Sequence, residues 1–167
     1  MSRCWDQFES DFLNAHSWGQ RKDGYPGDLI DALSPEEKTS AITILTKRLD
    51  GRDDWPVRAM AHLRVVESVP KLRSLLMNVQ EPGMRAVIAT SIFELTGDTE
   101  MERIVREVAE ATALFWGTRI DAIYCLARFK TETAMRTLSA LTNDPEYLVR
   151  YNAKRAGGER KQFWDPD

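Results

Sequence analysis

Histidine and cysteine are scarce in this 167-residue chain, two of each, and the scarcity narrows its chemistry. Cys4 and Cys125 stand alone, without a CxxC or a zinc spacing, so no disulfide framework is expected. Cys125 reads as a small core residue. His16 and His62 have no His, Cys or carboxylate beside them at metal-ligand spacing, so His62 reads as a packed or solvated ring. There is no glycine-rich phosphate loop and no GxSxG nucleophile turn. The acids from Asp50 to Asp54 suggest a calcium loop, but the glycine at its sixth position and the glutamate at its twelfth are missing. Asp53 and Asp54 are read instead as a turn and a helix cap. No catalytic, cofactor-binding or metal-binding residue is assigned, and no catalysis is expected. No apolar run approaches the roughly 18 residues of a membrane span. The N-terminus lacks an apolar signal core, so no membrane partner and a cytoplasmic location are the expectations.

A basic excess is missing too. The chain is 43% hydrophobic and 29% charged, with a net charge of −3. The imbalance belongs to residues 1–50, while residues 51–167 are neutral. Phosphate-backbone binding depends on local positive charge. That charge gathers only near the C-terminus, at Arg150, Lys154, Arg155, Arg160 and Lys161.

What is present is helix signal. Ser34-Pro35-Glu36-Glu37 is a capping box with proline at the first helical position. Ile42, Leu45 and Leu49 follow on one face. Further apolar stripes run through Val57, Ala61 and Val65, then Leu72, Leu75, Leu76 and Val79, then Met84, Ile88, Ile92 and Leu95 to a stop at Gly97. Thr99 with Glu102 offers a second capping box, before Met101, Ile104, Val105 and Val108. Gly117 reads as the next joint. Helices through Ala122 and Leu126, through Ala134, Leu138 and Leu141, and through Leu148 and Val149 complete the series. No segment alternates with period two, so no sheet is expected.

A short pattern recurs four times: an arginine with a small or aliphatic residue three positions later. The arginines are Arg58, Arg85, Arg119 and Arg150, spaced 27, 34 and 31 residues apart. This is the length of a helical hairpin, and a hairpin buries its apolar stripe only against a neighbour. The expectation is an all-α superhelix of four hairpins, at residues 34–68, 69–97, 98–129 and 130–158. Residues 1–33 would form a cap, in which Trp5, Phe8 and Phe12 share one helical face, Leu29, Ile30 and Leu33 another, and residues 19–27 a loop. Residues 159–167 would be a frayed tail, with Phe163 and Trp164 able to fold back.

The segment Asp144-Pro145-Glu146-Tyr147-Leu148-Val149-Arg150 resembles the Asp-Pro-x-x-x-Val-Arg start of a second helix in the HEAT-repeat family, in its short bacterial, phycobilin-lyase-like, armadillo-like form. The resemblance covers residues 34–158. Thr118 replaces the usual valine in the third repeat, and the periods fall short of full HEAT units. The resemblance implies that the arginines form a ladder, with Asp54, Glu81 and Asp144 as the acids in the preceding turn, although the third repeat lacks an acid just before Arg119.

Trp55, Trp116 and Tyr147 each precede a repeat arginine by three residues and so share a phase. They read either as staples of each helix start or as an aromatic–arginine strip of the composition that anchors protein interfaces. The candidate partner-binding residues are Trp55, Arg58, Arg85, Trp116, Arg119, Asp121, Tyr147, Arg150 and Tyr151. The expected function is a protein-interaction module that holds one compact partner on its second-helix face. Small chains of this family are similar to immunity proteins that occlude a toxin domain. The alternatives implied by the same resemblance are a DNA-glycosylase-like protein and a lyase-type chaperone subunit. In the former, the repeat arginines with Lys154 and Arg155 would contact phosphates, and Trp116 and Asp121 would serve the site.

Overall fold

The computed structural model describes residues 2–22 and 24–158, excepting the side chain of Trp18. All regular structure among these residues is helical. The expected behaviour of the tail, with Phe163 and Trp164, lies outside the described residues. So do Arg160 and Lys161.

Helix α1 (Arg3–Phe8) runs into a π-helical turn (Glu9–Leu13), and two short helices follow, α2 (Trp18–Arg21) and α3 (Gly27–Asp31). Part of the expected 19–27 loop is therefore helical. The side chains of Ser17 and Gln20 form a reciprocal capping box that starts α2, a signal hidden by the glycines around it. Trp5, Phe8 and Phe12 are buried and form a chain of rings, with Trp5–Phe8 centroids 5.6 Å apart and Phe8–Phe12 5.0 Å. Phe12 continues the chain to Trp55 at 5.2 Å, which seats this N-terminal layer on the first long helices.

Eight helices follow as four consecutive pairs: α4 (Pro35–Lys47) with α5 (Asp54–His62), α6 (Val69–Asn78) with α7 (Pro82–Thr96), α8 (Met101–Glu110) with α9 (Trp116–Leu126), and α10 (Glu132–Leu141) with α11 (Tyr147–Ala156). Helix α4 starts as the sequence dictates. Ser34 Oγ accepts from the Glu37 N–H at 3.2 Å, and Glu37 Oε2 accepts from the Ser34 N–H at 3.0 Å. Helix α7 ends at Gly97 with φ 74°, a left-handed cap that favours glycine. Gly51 also needs positive φ (78°), and a Cβ there would meet Val79 Cγ2 at 2.6 Å.

The second members of the pairs pack in order, α5 on α7, α7 on α9 and α9 on α11. Helix α7 is the centre. It touches α5, α6, α8 and α9, and Met84 and every residue from Ala86 to Ile92 is buried. A helix that is apolar around its circumference is stable only when covered on several sides. Ile88 and Ile92 are fully buried, each worth about 1.5–3 kcal/mol relative to exposure.

Two expected signals fail. Thr99 and Glu102 do not cap α8: its N-cap is Glu100, which makes no side-chain cap bond. Glu102 is buried and accepts instead from the Thr131 hydroxyl, tying α8 to the cap of α10. Gly117 is no joint, because α9 already begins at Trp116 and the connection occupies residues 111–115. No described helix is long and apolar enough to cross a membrane.

Candidate functional site

Three of the repeat arginines do one local job. Arg85 Nη1 donates to the carbonyls of Leu76 (2.7 Å) and Val79 (3.0 Å), at the end of α6. Arg119 Nε donates to Ala109 O (3.0 Å), at the end of α8. Arg150 Nη1 donates to Asp144 O (2.7 Å) and Pro145 O (2.9 Å) in the turn before α11. Arg85 and Arg119 thus hold carbonyls that the ends of α6 and α8 leave without donors, where the helix dipole also favours positive charge, whereas Arg150 holds turn carbonyls that belong to no helix.

The acidic partners are arranged differently from the expected ladder. Asp54 does pair with Arg58, Oδ2 accepting from Nε at 2.6 Å. Glu81 pairs with no arginine among the described residues; it caps α7 by accepting from the Gly83 and Met84 N–H groups. Asp144, in the turn before α11, pairs instead with Arg119 of α9, its Oδ2 2.5 Å from Nη2, and both side chains are about 95% shielded. Burial opposes ionisation of Asp144, but the Arg119 guanidinium, aided by the Glu146 N–H, outweighs it and holds the pKa below its usual value.

Two proposed contact residues therefore need correction. Arg119 is 3% exposed and Trp55 4%, so neither is available to a partner. Arg119 is buried because its charge is matched by Asp144. Trp55 is buried because the N-terminal layer covers it: it packs against Phe12 and Tyr25, and the Arg21 guanidinium lies 4.2 Å from its ring centroid. Equal spacing from an arginine thus does not give equal exposure, since the N-terminal rings reach Trp55 and leave Trp116 uncovered. Arg85 and Arg150 are half-buried.

Trp116, Tyr147 and Tyr151 are exposed, by 40%, 55% and 41%. Phe115, 64% exposed, packs on Trp116 with centroids 4.6 Å apart. Tyr147 and Tyr151 stack at 6.2 Å, with Arg150 and Arg155 each 5.7 Å from one of the two rings. Tyr124, also exposed, donates its hydroxyl proton to Asn152 Oδ1 (2.8 Å), joining α9 to α11. All five exposed aromatic side chains among the described residues thus belong to the adjacent helices α9 and α11 and the lead-in to α9. Sequence reasoning missed Phe115 and Tyr124. The signal for Tyr124 was its i+8 spacing from Trp116, which puts the two about 80° apart within one broad helical stripe.

A concave region lies between residues 24–27 and helices α5, α7 and α9. It has two lobes of about 420 and 490 Å³ that share Tyr25, Arg58, Cys125 and Arg128. Asp121 faces the second lobe. Although the residue is exposed in part, loss of water around the carboxyl is the main reason its pKa is raised; Arg58 opposes this, while Asp54 and Glu81 add to it. Burial likewise pushes up the thiol of Cys125, which leaves it a poor nucleophile. His62 is exposed, its Nε2 2.8 Å from Asp31 Oδ1. No group of His, Cys, Asp and Glu among the described residues has metal-ligand geometry. Asp53 caps α5 and accepts both Nη groups of Arg21 at 2.8 Å.

No protein-family profile, curated protein or solved structure gives a significant match to this chain.

Proposed function

We propose that this chain is a short α-solenoid of four HEAT-like hairpins with an N-terminal cap, and that it works as a non-catalytic module holding a compact folded protein against the α9–α11 end of its second-helix row. The serial packing of α5, α7, α9 and α11 supports the solenoid, as does the recurring use of an arginine to hold the preceding carbonyls. The observation that carries the function is the segregation of aromatics. The N-terminal rings Trp5, Phe8, Phe12 and Trp55 are buried, whereas Phe115, Trp116, Tyr124, Tyr147 and Tyr151 face solvent on two adjacent helices. Tyr and Trp flanked by Arg are the residues that dominate interface energetics.

A narrower form of the proposal, resting on the family resemblance, is an immunity protein that blocks a toxin domain by covering its active site. The nucleic-acid reading is less favoured, because Arg119 is buried and Arg85 and Arg150 bind carbonyls, which leaves no row of cations at repeat spacing. The chaperone reading rests on resemblance alone.

The test is a Trp116→Ser/Tyr147→Ser double variant. Its thermal midpoint should stay close to that of the parent, since both side chains are already exposed. A stoichiometric protein retained from source-cell lysate by the parent should be lost by the variant. Sedimentation of the purified chain distinguishes the other occupant: a dimer abolished by the same substitutions would make the partner a second copy. Retention of the same protein by parent and variant alike would remove the aromatic edge from the account.

A further inference from the structure

We propose that the lobe of about 420 Å³ walled by Tyr25, Arg58, Arg64, Thr90, Glu94 and Arg128 is a binding site for a small oxyanion, of the carboxylate or phosphate type. This site is separate from the aromatic edge and does not depend on the partner reading.

The donors and acceptors of the wall are unequal. Arg58 uses only Nε, bonded to Asp54, and neither Nη group has a hydrogen-bond partner among the described residues. Arg128 likewise uses only Nε, bonded to Glu94. Arg64, held in the left-handed region at φ 57°, donates Nη1 to the Glu94 carbonyl at 2.8 Å. Asp54 and Glu94 are thus already engaged, and Asp121 lies in the adjoining lobe, while guanidinium N–H groups remain. Burial disfavours the charge on Arg58, but Asp54 and Asp121 help to keep its pKa above the usual value.

A third donor comes from a different element. The Tyr25 hydroxyl is shielded from water and is the one buried side-chain polar atom without a hydrogen-bond partner among the described residues. Burial holds it protonated, with its pKa raised. A buried hydroxyl without an acceptor is disfavoured, and native structures rarely keep one without a reason. The residues that line this lobe carry three arginines against Glu94 alone, so the missing partner is an acceptor. Arginine forks match carboxylate and phosphate oxygens in pairs. The volume lies within the range of small-ligand pockets.

The experiment titrates the purified chain with inorganic phosphate and, separately, with succinate at constant ionic strength, read by calorimetry and by backbone amide shifts. Saturable binding of either probe, with shifts at residues 25, 58, 64, 90, 94 and 128, is expected; the stronger probe identifies the oxyanion. Tyr25→Phe should weaken binding about 5- to 10-fold, the usual worth of one hydrogen bond. It should also raise the thermal midpoint in the absence of anion, because it removes an unsatisfied hydroxyl. Arg58→Gln should abolish binding and Arg58→Lys restore part of it. Absence of saturation by either probe, or equal binding by parent and Arg58→Gln, would overturn the proposal. So would a Tyr25→Phe variant that melts lower and binds unchanged.

Discussion

The pair Arg119–Asp144 ties α9 to the turn between α10 and α11, and its removal gives the sharpest stability prediction. Both side chains are about 95% shielded. Asp144→Asn keeps the shape and the acceptor for the Glu146 N–H but leaves the Arg119 charge buried without a counterion. Arg119→Met leaves the Asp144 charge and the Ala109 carbonyl without their donor. Removing one partner of a buried pair costs about 3–5 kcal/mol. For a chain of this size that lowers the thermal midpoint by about 6–20 °C. The double variant removes both charges, so its loss should fall short of the sum of the singles by about 2 kcal/mol or more, the coupling read by a double-mutant cycle. The pH dependence follows from the lowered pKa of Asp144. A carboxylate with a depressed native pKa stabilises the fold above its unfolded value, near 3.8, and that contribution is lost as pH falls through the native value. The gap between parent and Asp144→Asn should therefore be full at pH 7 and narrow below pH about 4. Urea unfolding followed by circular dichroism measures it. Single variants that each cost under about 1 kcal/mol, a value typical of exposed pairs, would refute the reasoning, as would a gap that is the same at pH 7 and pH 3.

Replacing Trp55 by Ala should cost about 3–5 kcal/mol, the range for a buried aromatic, whereas Trp116→Ala should cost under about 1 kcal/mol, as for surface changes; denaturant midpoints of the two separate them. Asp121→Asn should stabilise the fold at pH 7, because a carboxyl whose native pKa is raised loses stability as pH rises through that value. The gain should vanish in acid below the unfolded carboxylate value, and a gain that persists there would point to packing instead of charge.

Helix order was legible because it rests on local chemistry. The Ser34–Glu37 box, the stop at Gly97 and the buried stripe of α7 are short-range patterns, and the structure has them at those residues. The errors arose where a local signal met a tertiary competitor. Glu102 matched a capping box, but the Thr131 hydroxyl engages it from another hairpin. Arg150 stood beside Asp144 in sequence, but Arg119 reaches that carboxylate from the preceding pair. Trp55 and Trp116 shared a phase, yet the N-terminal rings cover only the first. The cavity was invisible for a related reason. Tyr25, Arg58, Glu94 and Arg128 come from four elements with no common spacing, and only the packing of α5, α7 and α9 brings them together.

The central claim is that the α9–α11 aromatic edge grips a protein. The most direct measurement is the dissociation constant of the stoichiometric partner for the parent chain and for Trp116→Ser/Tyr147→Ser, taken by calorimetry with both proteins purified. Hot-spot residues cost about 2 kcal/mol or more each when truncated. The account predicts at least about a 100-fold weaker complex for the double variant, at an unchanged thermal midpoint, following tenfold per 1.4 kcal/mol. An affinity within about threefold of the parent's, less than 1 kcal/mol on the same scale, would contradict it.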